Sequence, residues 1–257
     1  MIIIGLVMFP SFKAGEMEDM VTDSRDDPQT DFIYCFGANT EVLKFGSCQL
    51  HSGHKILFLI IPGNPGVVGF YRTFMQTLHR MFGYRHPVWA VSHAGHCVPP
   101  DSMDMVEDAS LAAEGDVFGL NGQIEHKLAF LRKYVPRETR PHPDWALHWL
   151  LHYSGDDQER SRTQANAMYM GGQEMKKVLE RDNITIRKNL EKLIFYYGAT
   201  DHWCPIQYYL DIKKDFPHGD IRLCENGFRH AFVLDTGREV AKMVVEWISG
   251  DLTTQVL

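Results

Sequence analysis

The apolar positions of this chain fall into two periodicities that alternate along its length. A continuous apolar run, Ile56-Leu-Phe-Leu-Ile-Ile61, has the length of a strand and ends at Pro62-Gly-Asn-Pro-Gly66. Such a run predicts a strand buried on both faces of a parallel sheet. Phe70, Phe74, Leu78 and Met81 then recur at helical spacing, and Gly83 ends the pattern. Residues 87–91 predict the next strand, closed by Ser92-His-Ala-Gly-His96. Ile124, Leu128, Leu131 and Val135 mark a second amphipathic helix, with Pro136 behind it. Upstream, two short runs at 32–36 and 41–45 flank Gly37-Ala38-Asn39, a hairpin signal.

This strand-loop-helix rhythm predicts an α/β fold, a mostly parallel sheet with helices on both faces. A third strand is then due and does not come. Residues 137–163 carry Pro141 and Pro143, which lack the N–H a central strand needs, and the segment reads as foreign to its flanks. Order returns with a helix over 165–181, a buried strand at 193–197, a helix at 206–216 and a short strand at 220–224. Val240, Val244, Trp247 and Ile248 define the last helix, with Asp235 or Thr236 at its start and Gly250 at its end. Residues 31–250 are expected to form one domain, with an atypical segment at 138–164. Residues 1–30, apolar and then acidic, are expected to be a flexible extension.

Composition narrows the functional classes. With 257 residues, 44% of them apolar, a single sizeable core is affordable. A net charge of −7 argues against a general nucleic-acid binder. Five cysteines without a CxxC pair read as reduced thiols. No run of 18 apolar residues is present in the sequence.

In open parallel sheets, chemistry gathers at the carboxyl ends of strands. The glycine-rich loop after the first strand can turn backbone N–H groups of Gly63 and Asn64 toward a developing oxyanion, or be a plain turn. Asp201, after strand 193–197, can orient a histidine, or close an Asx turn or cap a helix. His230, in Gly227-Phe-Arg-His-Ala-Phe232, can be a general base, or one surface histidine among thirteen. What links the last two is order: acid after a late strand, histidine after the next, as in α/β-hydrolases. The pairs His93/His96 and His51/His54 suggest metal only weakly, because they sit in glycine-containing loops without further ligands, and no metal or cofactor is expected. The nucleophile is the missing member. None of the ten serines has glycine at both −2 and +2. Ser92 sits at a strand end but is flanked two away by Ala90 and Ala94.

Several stretches together, among them Ile60-Ile-Pro-Gly-Asn-Pro-Gly66, Val88-Trp-Ala-Val-Ser-His-Ala-Gly-His96, Gly171-Gly-Gln-Glu-Met175 and Asp201-His-Trp-Cys-Pro205, resemble the lipid droplet-associated hydrolase family. The resemblance covers roughly 30–137 and 165–250. It implies an α/β-hydrolase fold, a serine-type esterase or lipase activity on sterol esters or triacylglycerols, and a setting at lipid droplets and the cytosolic face of the endoplasmic reticulum. It maps the acid and histidine onto Asp201 and His230, and the oxyanion loop onto Gly63 and Asn64. Between Arg140 and Ala165 the chain departs from the family. There the family carries the strand and Gly-x-Ser-x-Gly turn of the nucleophile, a further strand and an apolar cap. The expectation is therefore an α/β-hydrolase fold missing a central strand and cap region. The chain is expected to be catalytically impaired or, alternatively, a non-catalytic droplet-associated lipid-binding protein.

Overall fold

A computed structural model describes residues 2–5, 26–48, 56–107, 116–135 and 161–254. The atypical segment lies mostly, and His51 and His54 wholly, outside the described residues.

The strands form two sheets rather than one. Strands β2 (Gln29–Cys35), β3 (Ala38–Phe45), β4 (Phe58–Ile60) and β5 (Val88–Val91) line up in the order β2-β3-β5-β4. Strands β1 (Ile2–Gly5), β6 (Leu193–Gly198) and β7 (Asp220–Cys224) form a second sheet in the order β1-β6-β7. Each sheet holds one parallel pair, β4 with β5 and β6 with β7, flanked by antiparallel strands. Residues 2–5, expected to belong to a flexible extension, are instead a strand on the edge of β6, with Ile2 opposite Tyr196 and Gly5 opposite Leu193. A run of isoleucines suits that role, because β-branched side chains favour a pleated surface.

The β2–β3 hairpin turns one residue earlier than the glycine-alanine-asparagine reading suggested. Cys35 pairs with Ala38, leaving Phe36 and Gly37 as a two-residue loop, both with positive φ (52° and 76°). That is the handed turn that matches strand twist.

Five of the helices are α1 (Arg72–Met81), α2 (Leu120–Tyr134), α3 (Ser161–Lys177), α5 (Ile206–Asp215) and α6 (Gly237–Thr254). Between α3 and α5 lies α4 (Asn183–Asn189), a helix the apolar pattern does not announce. Its signal is a cap: Asp182 accepts hydrogen bonds from the N–H groups of Ile184 and Thr185. α6 runs through Gly250 instead of stopping there.

Strand alternation sorts the core into layers. Leu43, Phe45, Phe58, Val88 and Ala90 face α1 and α6, whose Phe74, Leu78, Val244 and Ile248 complete that cluster. Val42, Leu57, Trp89 and Val91 face the other way, onto Phe130 and Val135 at α2. In the second sheet Leu193, Phe195 and Tyr197 pack on Ile186, Ile212 and Phe216 of α4 and α5. On its opposite face Ile194 joins the α1–α6 cluster, and the Tyr196 and Trp247 rings lie 5.0 Å apart. Helix α6 therefore ties the two sheets together.

The apolar stripe expected on α2 is displaced. Its buried face is Leu120, Gln123, His126, Lys127 and Phe130, whereas Ile124, Leu128 and Leu131 lie on the flank. Polar residues occupy the buried face because the loop after β5 needs partners there.

Candidate active site

The candidate acid and base come together. Asp201 follows β6 and His230 follows β7, the two parallel strands of the second sheet, so adjacent strand ends bring the loops side by side. His230 Nδ1 and Asp201 Oδ2 are 2.6 Å apart, with Asp201 buried and His230 partly so. With Nδ1–H donating to the carboxylate, Nε2 is the nitrogen left to take up a proton. Asp201 Oδ1 accepts from the N–H groups of Trp203 (2.8 Å) and Cys204 (3.1 Å). The Asx turn and the histidine partner, alternatives in the sequence, are therefore both made, one by each oxygen. The cap of α5 falls to Pro205 instead. Burial raises the Asp201 carboxyl, but the hydrogen bond and charge of His230 and the two backbone N–H groups outweigh it, and the net shift is downward. A charged acid locked by three donors can hold the ring and stabilise its imidazolium.

The Gly63–Asn64 loop sits at the end of β4, in the other sheet. Gly63 N–H donates to Tyr71 Oη at 3.1 Å, and the Tyr71 ring meets Phe232 edge-on at 6.4 Å, two residues beyond His230. That aromatic contact joins the loop to the histidine side. Asn64 Nδ2 donates to the carbonyl of Ala167 on α3 at 2.8 Å. Gly66 has φ +76°, and a Cβ there would stand 2.5 Å from the His93 ring, so only glycine lets the loop lie on that ring.

Ser92 is not brought to His230. It is fully buried, and its hydroxyl accepts the Glu41 N–H of β3 at 2.9 Å. His93 and His96 turn inward, with rings 5.3 Å apart, and one nitrogen of His96, Nδ1, lies 2.6 Å from the Pro65 carbonyl. Burial and the nearby Lys127 charge drive His93 well below its ordinary pKa, and burial takes His96 to about 4, so both are neutral. Among the described residues no group of three or more His, Cys, Asp or Glu side chains could hold a metal ion.

The residues that the periodicity missed lie on α2 and α3. Gln123 brackets Ala94, accepting its N–H at 2.7 Å and donating to its carbonyl at 3.1 Å. Lys127, fully buried, donates to the Ser92 carbonyl at 2.9 Å and to His126 Nδ1 at 2.8 Å. His126 Nε2 then meets Thr40 Oγ1 at 2.8 Å. Burial lowers Lys127 to about 7. Glu174, on α3, is also buried, which raises its carboxyl to about 7. The available signal was spacing: Leu120, Gln123, Lys127 and Phe130 lie three and four apart, a buried stripe with polar members.

Among the described residues, no helix is long and apolar enough to cross a membrane. The sequence profile of a family described as lipid-droplet associated hydrolase matches residues 54–152 and 156–233. A lipid droplet-associated hydrolase of Gallus gallus is 39% identical over 309 aligned positions, which take in 87% of this chain and 95% of the relative. One of Homo sapiens is 35% identical over 311 positions, with the same coverage of each chain. Since 87% of 257 residues is about 224, about 85 of the 309 positions aligned with the Gallus gallus relative face a gap in this chain. A solved structure of a laboratory-evolved potato epoxide hydrolase aligns with TM-score 0.50 at 12% identity, over 87% of this chain and all of that one, and its likeness is one of α/β-hydrolase fold. This chain belongs to the lipid droplet-associated hydrolase family.

Proposed function

We propose that this chain derives from a serine-type carboxylic ester hydrolase acting on sterol esters or triacylglycerols at lipid droplets and the cytosolic face of the endoplasmic reticulum, and that it is itself catalytically impaired. Asp201 is its acid, His230 its general base, and Gly63 and Asn64 its oxyanion loop. The observation that carries the reading is an Asp201–His230 pair held at 2.6 Å in a chain whose serines all lack the flanking glycines of a nucleophile turn. The gapped alignment supports it, because about 85 positions aligned with the Gallus gallus relative face a gap in this chain.

Loss of the serine from a comparable triad lowers kcat on the order of a millionfold. A fluorophosphonate probe applied to the purified chain is therefore expected to label no serine, and p-nitrophenyl butyrate to be turned over no faster than by the His230→Ala variant. Labelling of any serine, together with turnover that His230→Ala abolishes, would overturn the impairment.

A second reading, a lipid-binding protein without turnover, is favoured by one feature. Met168, Met175, Val178 and Leu179, on and just beyond α3, are exposed apolar side chains. Exposed apolar residues grouped in this way mark interaction surfaces.

A further inference from the structure

The inward stripe of α3 runs from half-buried Ala167 to buried Met170, Gly171 and Glu174, three and four residues apart. Its first member takes the Asn64 amide on its carbonyl, so the stripe is seated on the Gly63–Asn64 loop. Glu174 lies along the same stripe, 9% exposed, and neither of its carboxyl oxygens makes a hydrogen bond of normal geometry among the described residues. An ionised carboxylate in that position would be costly, whereas a neutral acid carries one O–H that wants an acceptor. An ester carbonyl is an acceptor only. The loop's own Gly63 N–H is engaged by Tyr71 Oη, so a donor for such a carbonyl has to come from another group.

We propose that Glu174, as a neutral carboxyl, donates a hydrogen bond to the carbonyl oxygen of an acyl ester bound against the Gly63–Asn64 loop. The inference rests on the reading of that loop as the acyl site. It assigns to a helix side chain a share of the work that the missing nucleophile turn would do with its backbone N–H. Burial keeps the proton on Glu174 up to about pH 7, with the Asn64 side chain pulling weakly the other way. The titratable groups on the elements packed around it are His93 and His96 in the loop after β5, Tyr71, Lys127 on α2, Asp116 ahead of α2, and Tyr169 and Lys177 on α3. None of these shifts Glu174 alongside burial and Asn64. Lys127 titrates in the same range, so the glutamine variant is what assigns the pH dependence of ester binding to Glu174.

The test uses the full chain with ethyl octanoate carrying a 13C carbonyl, read by difference infrared spectroscopy and by titration at about pH 6 and pH 9. The wild type is expected to lower the carbonyl stretch at pH 6 and to lose that shift at pH 9, with affinity falling about fivefold, the worth of one modest hydrogen bond. Glu174→Gln, whose amide donates at either pH, is expected to keep both the shift and the affinity at pH 9. Glu174→Ala is expected to lose both at pH 6, and if it fails to melt cooperatively the glutamine variant decides. Binding that ignores pH in the wild type, as a trapped water between Glu174 and the loop would give, overturns the role of Glu174 but leaves the acyl site standing. No ester binding by any variant overturns the acyl site and the inference together.

Discussion

The two sheets of this molecule differ in what they have kept. The three-stranded sheet holds a finished piece of chemistry: its parallel strands β6 and β7 deliver Asp201 and His230 to each other, and every oxygen of the acid is engaged. The four-stranded sheet holds an unfinished one. Beside its half-buried Gly63 and buried Asn64, the side chains of His93 and Glu174 are buried with polar atoms that lack partners of normal geometry among the described residues. The dyad needs only two adjacent strands and their loops, both encoded within 193–230. The Gly63–Asn64 loop lies at the end of β4 in the other sheet, and among the described residues no strand joins β4 to β6.

The sharpest way to break the comparison is to remove an aromatic core residue from each half. Phe45 in β3 and Phe195 in β6 are each about 1% exposed or less. Phe45→Ala and Phe195→Ala should each cost about 3–5 kcal/mol through lost burial and the cavity left behind. If α6 makes one cooperative unit of the two sheets, both variants lower a single urea midpoint together. Two transitions, with each variant moving only one, would mean that the halves fold independently.

That dependence on α6 bears on what the sequence made legible. Period-2 and period-3.6 patterns located β4 to β7, α1, α5 and the start of α6 within a residue or two, because each has a clean apolar face. The pair Asp201 and His230 was legible from its order after successive strands. What escaped was set by tertiary demand. α4 is announced only by the Asp182 cap, and the buried face of α2 is polar because Gln123 and Lys127 serve loop backbone. Glu174 escaped for the same reason, since a carboxylate on a helix reads as solvated until the loop it seats against is seen. Neither the division into two sheets nor the pairing of residues 2–5 with β6 was legible in the apolar pattern.

Lys127 offers a smaller effect and a test of the four-stranded half alone. Its amine has a carbonyl and an imidazole as partners and no carboxylate. Burial lowers its pKa from 10.5 to about 7, so between these values the unfolded chain binds a proton that the folded chain does not. Stability therefore rises as pH climbs from about 7 towards 10.5, and the cost is fully present below 7. Lys127→Met removes that cost and is expected to stabilise the protein by about 1–4 kcal/mol at neutral pH, as apolar replacements of buried charged groups often do. The difference between variant and wild type in urea melts should shrink steadily from pH 7 to pH 10. A constant difference would show that packing, not proton binding, sets it.

The finest probe is Asp201→Asn, which asks whether the three-stranded half is as self-sufficient as its geometry suggests. The side chain keeps its shape, and Asn Oδ1 can still accept from the Trp203 and Cys204 N–H groups. Only the charge and the acceptor facing His230 Nδ1 are lost, because an amide NH2 now meets a ring N–H. The hydrogen bond of a charged acceptor is worth about 1.5–3 kcal/mol, so a loss near the lower end is expected at pH 7, with the turn retained. The pH dependence gives the sign. The folded Asp201 carboxyl is held below its ordinary value of 3.8, so its contribution is present above that value and is lost as pH falls through the lower, folded one. Wild type and variant should thus differ most near neutrality and converge in acid. A gap that does not narrow at all as the pH falls below 3.8 would assign the loss to a clash at the ring instead of to charge. Because the pair lies within a single sheet, Phe45→Ala in the other half should add to Asp201→Asn without coupling, whereas Phe195→Ala, on the strand that leads to Asp201, should not.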